Sequence, residues 1–68
     1  MRAYRCYILD QQDHIRNVEV LRADTDEIAI AAANAICAKK YNRYPRFEIF
    51  DQARLVLRSR IVEGERAV

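Results

Sequence analysis

Tyr4, Cys6 and Ile8 fall on one side of an alternating stretch near the start of the chain, and Arg5, Tyr7 and Leu9 fall on the other. Period two with aromatic and β-branched residues predicts a strand over residues 3–9. Both sides are partly apolar, as suits a strand inside a sheet rather than at its edge. Asp10-Gln11-Gln12-Asp13-His14 is a polar break, where an Asp side chain can bond the backbone two residues on and stabilise a turn. Residues 15–22 predict a second strand and so a β-hairpin. Val18 and Val20 share one face of it while Ile15 and Leu21 share the other, and a bulge would reconcile the two sets.

The pattern then changes period. Asp24 is a candidate N-cap with Glu27 three residues on, and Asp26 and Glu27 place negative charge at the positive end of a helix dipole. Ile28 to Lys40 is rich in Ala and free of Gly and Pro, a strong helix composition. Lys39 and Lys40 fall in the last turn, and Asn42 and Pro45 mark the exit. Residues 46–50 predict a third strand with Phe47 and Ile49 on one face. Asp51-Gln52-Ala53 predicts a turn and residues 54–61 a fourth strand. There Leu55, Leu57 and Ile61 alternate with Val56, Arg58 and Arg60. The order is ββαββ, an α+β domain with two β-hairpins flanking one helix that covers one face of an antiparallel sheet. The expected domain spans residues 1–61, with a frayed tail over 62–68.

Composition narrows the class. The chain has 68 residues, 51% apolar and 32% charged, with a net charge of +2. That balance folds and is unlike the low-hydrophobicity composition of disordered chains. A single core of this size supplies roughly 3–5 kcal/mol, which leaves little to support a strained catalytic pocket. Small domains lean on disulfides, metals or oligomerisation. Cys6 and Cys37 allow at most one disulfide, and His14 is the only histidine, so a four-ligand metal site within one chain is not expected. Both cysteines point to the expected core, where a free thiol acts as a small hydrophobe. No cofactor is expected. Oligomerisation remains as the support, and a homodimer is the commonest form. No apolar run reaches the length of about 20 residues that a bilayer span needs. With no targeting segment read in the sequence, the expected location is the cytoplasm.

Tyr4-Arg-Cys-Tyr-Ile-Leu-Asp10, the turn ending in Asp13-His14-Ile15, the acidic run Asp24-Thr-Asp-Glu27 and the closing Phe47-Glu-Ile-Phe-Asp-Gln-Ala-Arg-Leu-Val56 together resemble a class of small uncharacterised bacterial proteins. The resemblance covers residues 3 to 60. It implies the strand-strand-helix-strand-strand order and no catalytic residue. This chain carries Gln12-Asp13 and Gln52-Ala53 where such proteins often place Gly in the hairpin turns.

Three features bear on function. Projected at about 100° per residue, the helix groups Ala29, Ile30, Ala33, Ile36 and Cys37 on one arc, assigned to the core. The opposite arc holds Ile28, Ala31, Ala32, Ala35 and Lys39, and between residues 28 and 38 only Asn34 is polar. A helix apolar nearly all round is usually buried on more than one side. The sheet face away from the helix is expected to carry Tyr7, Leu9, Phe50 and Val56. These two apolar surfaces are the candidate interfaces of a homodimer or for another protein. Charge is also split: residues 39–60 carry seven Lys or Arg against two acids, and residues 1–38 carry four against six. Lys39, Lys40, Tyr41, Arg43, Tyr44 and Arg46 interleave cations with rings, and Arg58 and Arg60 follow on the fourth strand. Such a set suits phosphates and stacked bases, and equally a solvated helix exit with charged strands that resist aggregation. His14 beside Asp13 and Asp10 has the composition of a carboxylate-held base, and also of a plain hairpin tip. No nucleophile or phosphate loop accompanies it.

Overall fold

The computed structural model describes residues 1–61, so the tail at 62–68 lies outside the described residues. The strands are β1 (Arg2–Leu9), β2 (Ile15–Ala23), β3 (Arg46–Asp51) and β4 (Arg54–Arg60), with α1 (Asp26–Lys40) between β2 and β3. All pairings are antiparallel and the sheet order is β2-β1-β3-β4. The fold is therefore the expected α+β ββαββ arrangement. The two hairpins join through β1 and β3, which makes β1 central.

Helix α1 packs over β2, β1 and β3. Tyr4, Cys6, Ile8, Leu21, Phe47 and Ile49 point toward it, and with Ala29, Ala33 and Cys37 they form one buried core. Ile30 and Ile36 are half-buried and pack against that core. Small residues at 29, 33 and 37 repeat at one helical turn, which lets the helix sit close to the sheet. The N-cap is Thr25, one residue after the expected Asp24. Its Oγ1 accepts a hydrogen bond from the Ile28 N–H at 3.2 Å, satisfying one of the free donors of the first turn. Asp26 and Glu27 then occupy the first turn, and Lys39 and Lys40 the last.

The first hairpin closes on Asp10. Its Oδ1 accepts from the Gln12 and His14 N–H groups at 2.8 and 2.9 Å, and Asp13 turns through φ 65°. The second hairpin turns at Gln52, φ 60°. Neither left-handed position holds Gly.

Two bulges redistribute side chains. In β2 the register slips between the pairs Ile8↔Asn17 and Leu9↔Ile15. Arg16 becomes the extra residue, and Ile15 joins Val18 and Val20 on the face away from the helix. In β4 the slip falls between Ile49↔Leu57 and Phe50↔Leu55. Leu55 therefore faces away from the helix. Val56 packs against the core rather than on the open face where strict alternation puts it.

Candidate functional site: the open face of the sheet

Cross-strand partners share a face, so the register fixes what the uncovered side presents. One row runs Val20, Arg5, Phe50, Leu55. The next runs Val18, Tyr7, Glu48, Arg58. The third runs Ile15, Leu9, Arg46, Arg60, with Arg22 beside Ala3 beyond the first. Ile15 and Val20 are 57% and 58% exposed, and Val18 and Leu55 are exposed as well. Tyr7 and Phe50, on the two central strands, meet edge to face with ring centroids 5.7 Å apart. Each ring is half-buried. Leu9 lies on this side but is only 5% exposed, so it supports the face rather than presenting itself.

The electrostatics of the face are one-sided. It carries Arg5, Arg22, Arg46, Arg58 and Arg60 against Glu48. Arg58 Nε donates to Glu48 Oε2 at 2.8 Å, and Arg46 pairs with Asp13 from the hairpin tip. Arg5, Arg22 and Arg60 have no ion pair among the described residues. Two shallow hollows flank Tyr7 along β1. One, of about 430 Å³, is lined by Arg2, Ala3, Arg5, Val20, Asp51 and Gln52. The other, of about 550 Å³, is lined by Leu9, Asp13, Ile15, Arg46, Glu48 and Arg58.

The basic and aromatic residues of 39–60 do not form one surface. Arg46, Arg58 and Arg60 project from the open face, while Lys39, Lys40, Tyr41, Arg43 and Tyr44 gather at the helix exit. There Tyr41 is 8% exposed and its hydroxyl donates to Glu19 Oε2. That bond, reinforced by burial, pushes the Tyr41 hydroxyl up to about 12. Lys40 Nζ lies 3.3 Å from the same Glu19 oxygen and 5.6 Å from the Tyr41 ring centre. Tyr44 packs against the core. These rings hold the helix C-terminus on β2, and they are not presented as a stacking platform.

The helix's outer arc is exposed as expected at Ile28, Ala31 and Ala35, with Ile28 at 52%, while Ala32 is half-buried against the core. At the first hairpin tip, His14 Nδ1 is 3.8 Å from Asp10 Oδ2, and Asp10 is occupied by the turn. The bond from the His14 N–H, more than the one from Gln12, holds the Asp10 carboxyl below its ordinary value. Among the described residues no cluster of three or more His, Cys, Asp or Glu is placed to hold a metal, and no helix is long and apolar enough to cross a membrane.

One cluster escapes a reading along the chain. The Tyr4 hydroxyl, at the helix start, donates to Asp26 Oδ1 at 2.7 Å, and Arg54 reaches both Asp26 and Asp51 at 3.0–3.2 Å. The Arg54 contact, then Tyr4, lowers the Asp26 carboxyl, while burial raises the Tyr4 hydroxyl. The four residues come from β1, α1, the end of β3 and the start of β4. Only the β1–β3 pairing brings them together. Arg54, with Arg2 at 3.6 Å from both carboxylates, matches their charge, which makes the cluster a clamp on the helix N-terminus. Cys6 and Cys37 are both buried, with sulfurs 4.0 Å apart. The contact with Cys37 and burial together push the Cys6 thiol up, the opposite of a reactive thiolate.

The fold and this face define a small α+β domain with one side of its sheet covered and the other presented. No protein-family model, curated protein or solved structure matches the chain.

Proposed function

We propose that the chain is a small non-enzymatic interaction module of the cytoplasm, acts as a homodimer, and meets its partner on the open face of the sheet. The observation that carries the reading is the uncovered face itself. Central aromatic residues, Tyr7 and Phe50, stand there with exposed Ile15, Val18, Val20 and Leu55 around them. Apolar surface grouped in this way is commonly a contact site.

Charge separates the two candidate interfaces. Pairing the open face with itself would set arginines against arginines, and like charges across an interface are costly. The outer arc of α1 bears no charge from Ile28 to Ala35, and its small side chains allow close approach about a two-fold axis. The reading therefore assigns the dimer contact to Ile28, Ala31 and Ala35 and leaves the sheet face to the partner.

Light scattering on three proteins tests it. The wild type should have the mass of two chains, Ala31→Glu that of one, and Val20→Glu that of two. A single-chain mass for the wild type at high micromolar concentration would overturn the dimer. Dissociation by Val20→Glu but not by Ala31→Glu would exchange the two surfaces and overturn the assignment.

A further inference from the structure

We propose that the open face binds single-stranded nucleic acid, with bases stacking on Tyr7 and Phe50 and phosphates meeting Arg5, Arg22 and Arg60. The inference rests on the open face being the partner-facing surface, and it names the partner's chemistry.

Three features of the face converge on this ligand. First, the rings stand on adjacent central strands as diagonal neighbours, since Tyr7 lies opposite Glu48 and Phe50 opposite Arg5. A strand laid across the sheet can therefore bring one base to each ring, the two bases steeply inclined to each other because the ring planes are 72° apart. Base–aromatic stacking is indifferent to sequence because every base has a π face. Second, the cations are spread across the sheet. Arg22 is on edge strand β2, Arg5 on central β1 and Arg60 on edge strand β4. Each lacks an ion pair among the described residues, so none of those residues competes with a phosphate for it. Third, exposed Val18 and Val20 give an apolar bed beside the rings for the sugar and base edges.

The same features exclude the neighbouring occupants. A second copy would bring the same five arginines and, as opposite charge, only Glu48, which Arg58 already holds. A duplex keeps its bases stacked inside the helix, where rings on a sheet cannot reach them. Backbone charge and base faces are common to DNA and RNA, so binding should be nearly indifferent to the sugar.

The sequence points only partly to this place, through Arg46, Arg58 and Arg60. Lys40, Tyr41 and Tyr44 are used to hold the helix exit, while Arg46 lies on the open face. Alternation along the strands groups Phe50 with Tyr7 as an apolar interface and joins neither to the arginines. The cross-strand register puts the two sets on one face.

Fluorescence anisotropy with labelled ten-nucleotide oligo(dT) and oligo(U) at low salt tests the proposal on the full chain. Both probes should bind, and a ten-base-pair duplex should bind much more weakly. Tyr7→Leu and Phe50→Leu should each weaken binding about 5- to 150-fold, the range expected for one stacked base. Arg60→Ala should reduce the salt slope by about 0.7, the release expected for one phosphate on a single strand. Lys39→Ala and Arg43→Ala should leave affinity unchanged. Circular dichroism shows whether the ring variants fold. Amide shift mapping on the wild type asks the same question without substitution, and shifts should concentrate on β1 and β3. No binding of either probe by folded wild-type protein would overturn the proposal. Equal affinity for duplex, or loss through Lys39 and Arg43 with the ring variants unaffected, would also do so. If the probes fail while Val20→Glu leaves the dimer intact, the interaction-module reading stands with another partner. If Val20→Glu splits the dimer, the open face is the contact between copies and both readings fall.

Discussion

The two faces of one sheet are built from the same strands and differ in almost everything else. Toward the helix, Tyr4, Cys6, Ile8, Phe47 and Ile49 are buried to within a percent. Away from it, Ile15, Val18, Val20 and Leu55 stand exposed among five arginines. A helix of 15 residues is about 22 Å long and can close only one side of a four-stranded sheet. The covered side therefore carries the stability, and the open side is free to vary in chemistry. Apolar residues on both faces of β1 answer two demands: Tyr4, Cys6 and Ile8 fill the core, and Tyr7 centres the exposed surface.

The sharpest way to break the comparison is to truncate one residue on each side. Phe47→Ala on the covered face should cost about 3–5 kcal/mol, through lost transfer energy and the cavity left behind. That is comparable to the whole stability expected of a core this size, so the variant should be largely unfolded at room temperature. Val20→Ala on the open face should stay within about 0.5 kcal/mol. Urea titrations of the two variants give the measurement. Equal losses would mean that the open face is itself packed, by a second copy or otherwise.

How much of this division could be read along the chain depended on how local its causes were. The helix, both hairpins and the inward pointing of Cys6, Phe47 and Ile49 follow from period and turn chemistry within a few residues. The N-cap was displaced by one, because Asp24 and Thr25 are both competent caps and only the backbone decides between them. The composition of the open face was less legible. Val56 reads as an open-face residue and Ile15 as a covered one until the bulges in β4 and β2 shift them. A bulge is set by the pairing with the other strand of its hairpin, so alternation within one strand cannot locate it. The same holds for Asp26 and Arg54, whose contact depends on β1 lying beside β3.

Titration sharpens the comparison from the polar rim. The carboxyls of Asp10, Glu19 and Asp26 are each lowered in the folded chain, by the His14 N–H, the Tyr41 hydroxyl and Arg54 respectively. A lowered folded value means that the contribution is present above the unfolded value, near 4, and is lost as pH falls through the folded one. The melting temperature should therefore hold down to about pH 4–5 and then drop. At the alkaline end the sign reverses. Tyr41, raised to about 12 by Glu19, favours the fold below about pH 10 and loses that contribution as pH climbs toward 12. Ultraviolet titration should show the buried Tyr4 and Tyr41 ionising late, and Glu19→Gln should return Tyr41 toward the ordinary range. If Glu19→Gln left Tyr41 in place, Glu19 would not be what holds the helix exit to β2.

The smallest expected effect lies in the turns that join the strands of each hairpin. Asp13 and Gln52 both sit at positive φ, a region that costs an ordinary L-residue roughly 1–2 kcal/mol and costs Gly almost nothing. They are not equivalent. Asp tolerates this region because its short side chain can bond nearby backbone, and Asp13 also pairs with Arg46. Gln52 has neither compensation, since it is exposed and makes no side-chain bond among the described residues. Gln52→Gly should therefore raise stability by about 0.5–1 kcal/mol, after allowing for the greater freedom Gly has in the unfolded chain. Asp13→Gly should gain less, or lose, because it gives up the pair with Arg46. Chemical denaturation of the two variants side by side checks the order. A larger gain at position 13 than at 52 would mean that the Asp13–Arg46 pair contributes nothing, and that Arg46 is as available on the open face as Arg5, Arg22 and Arg60.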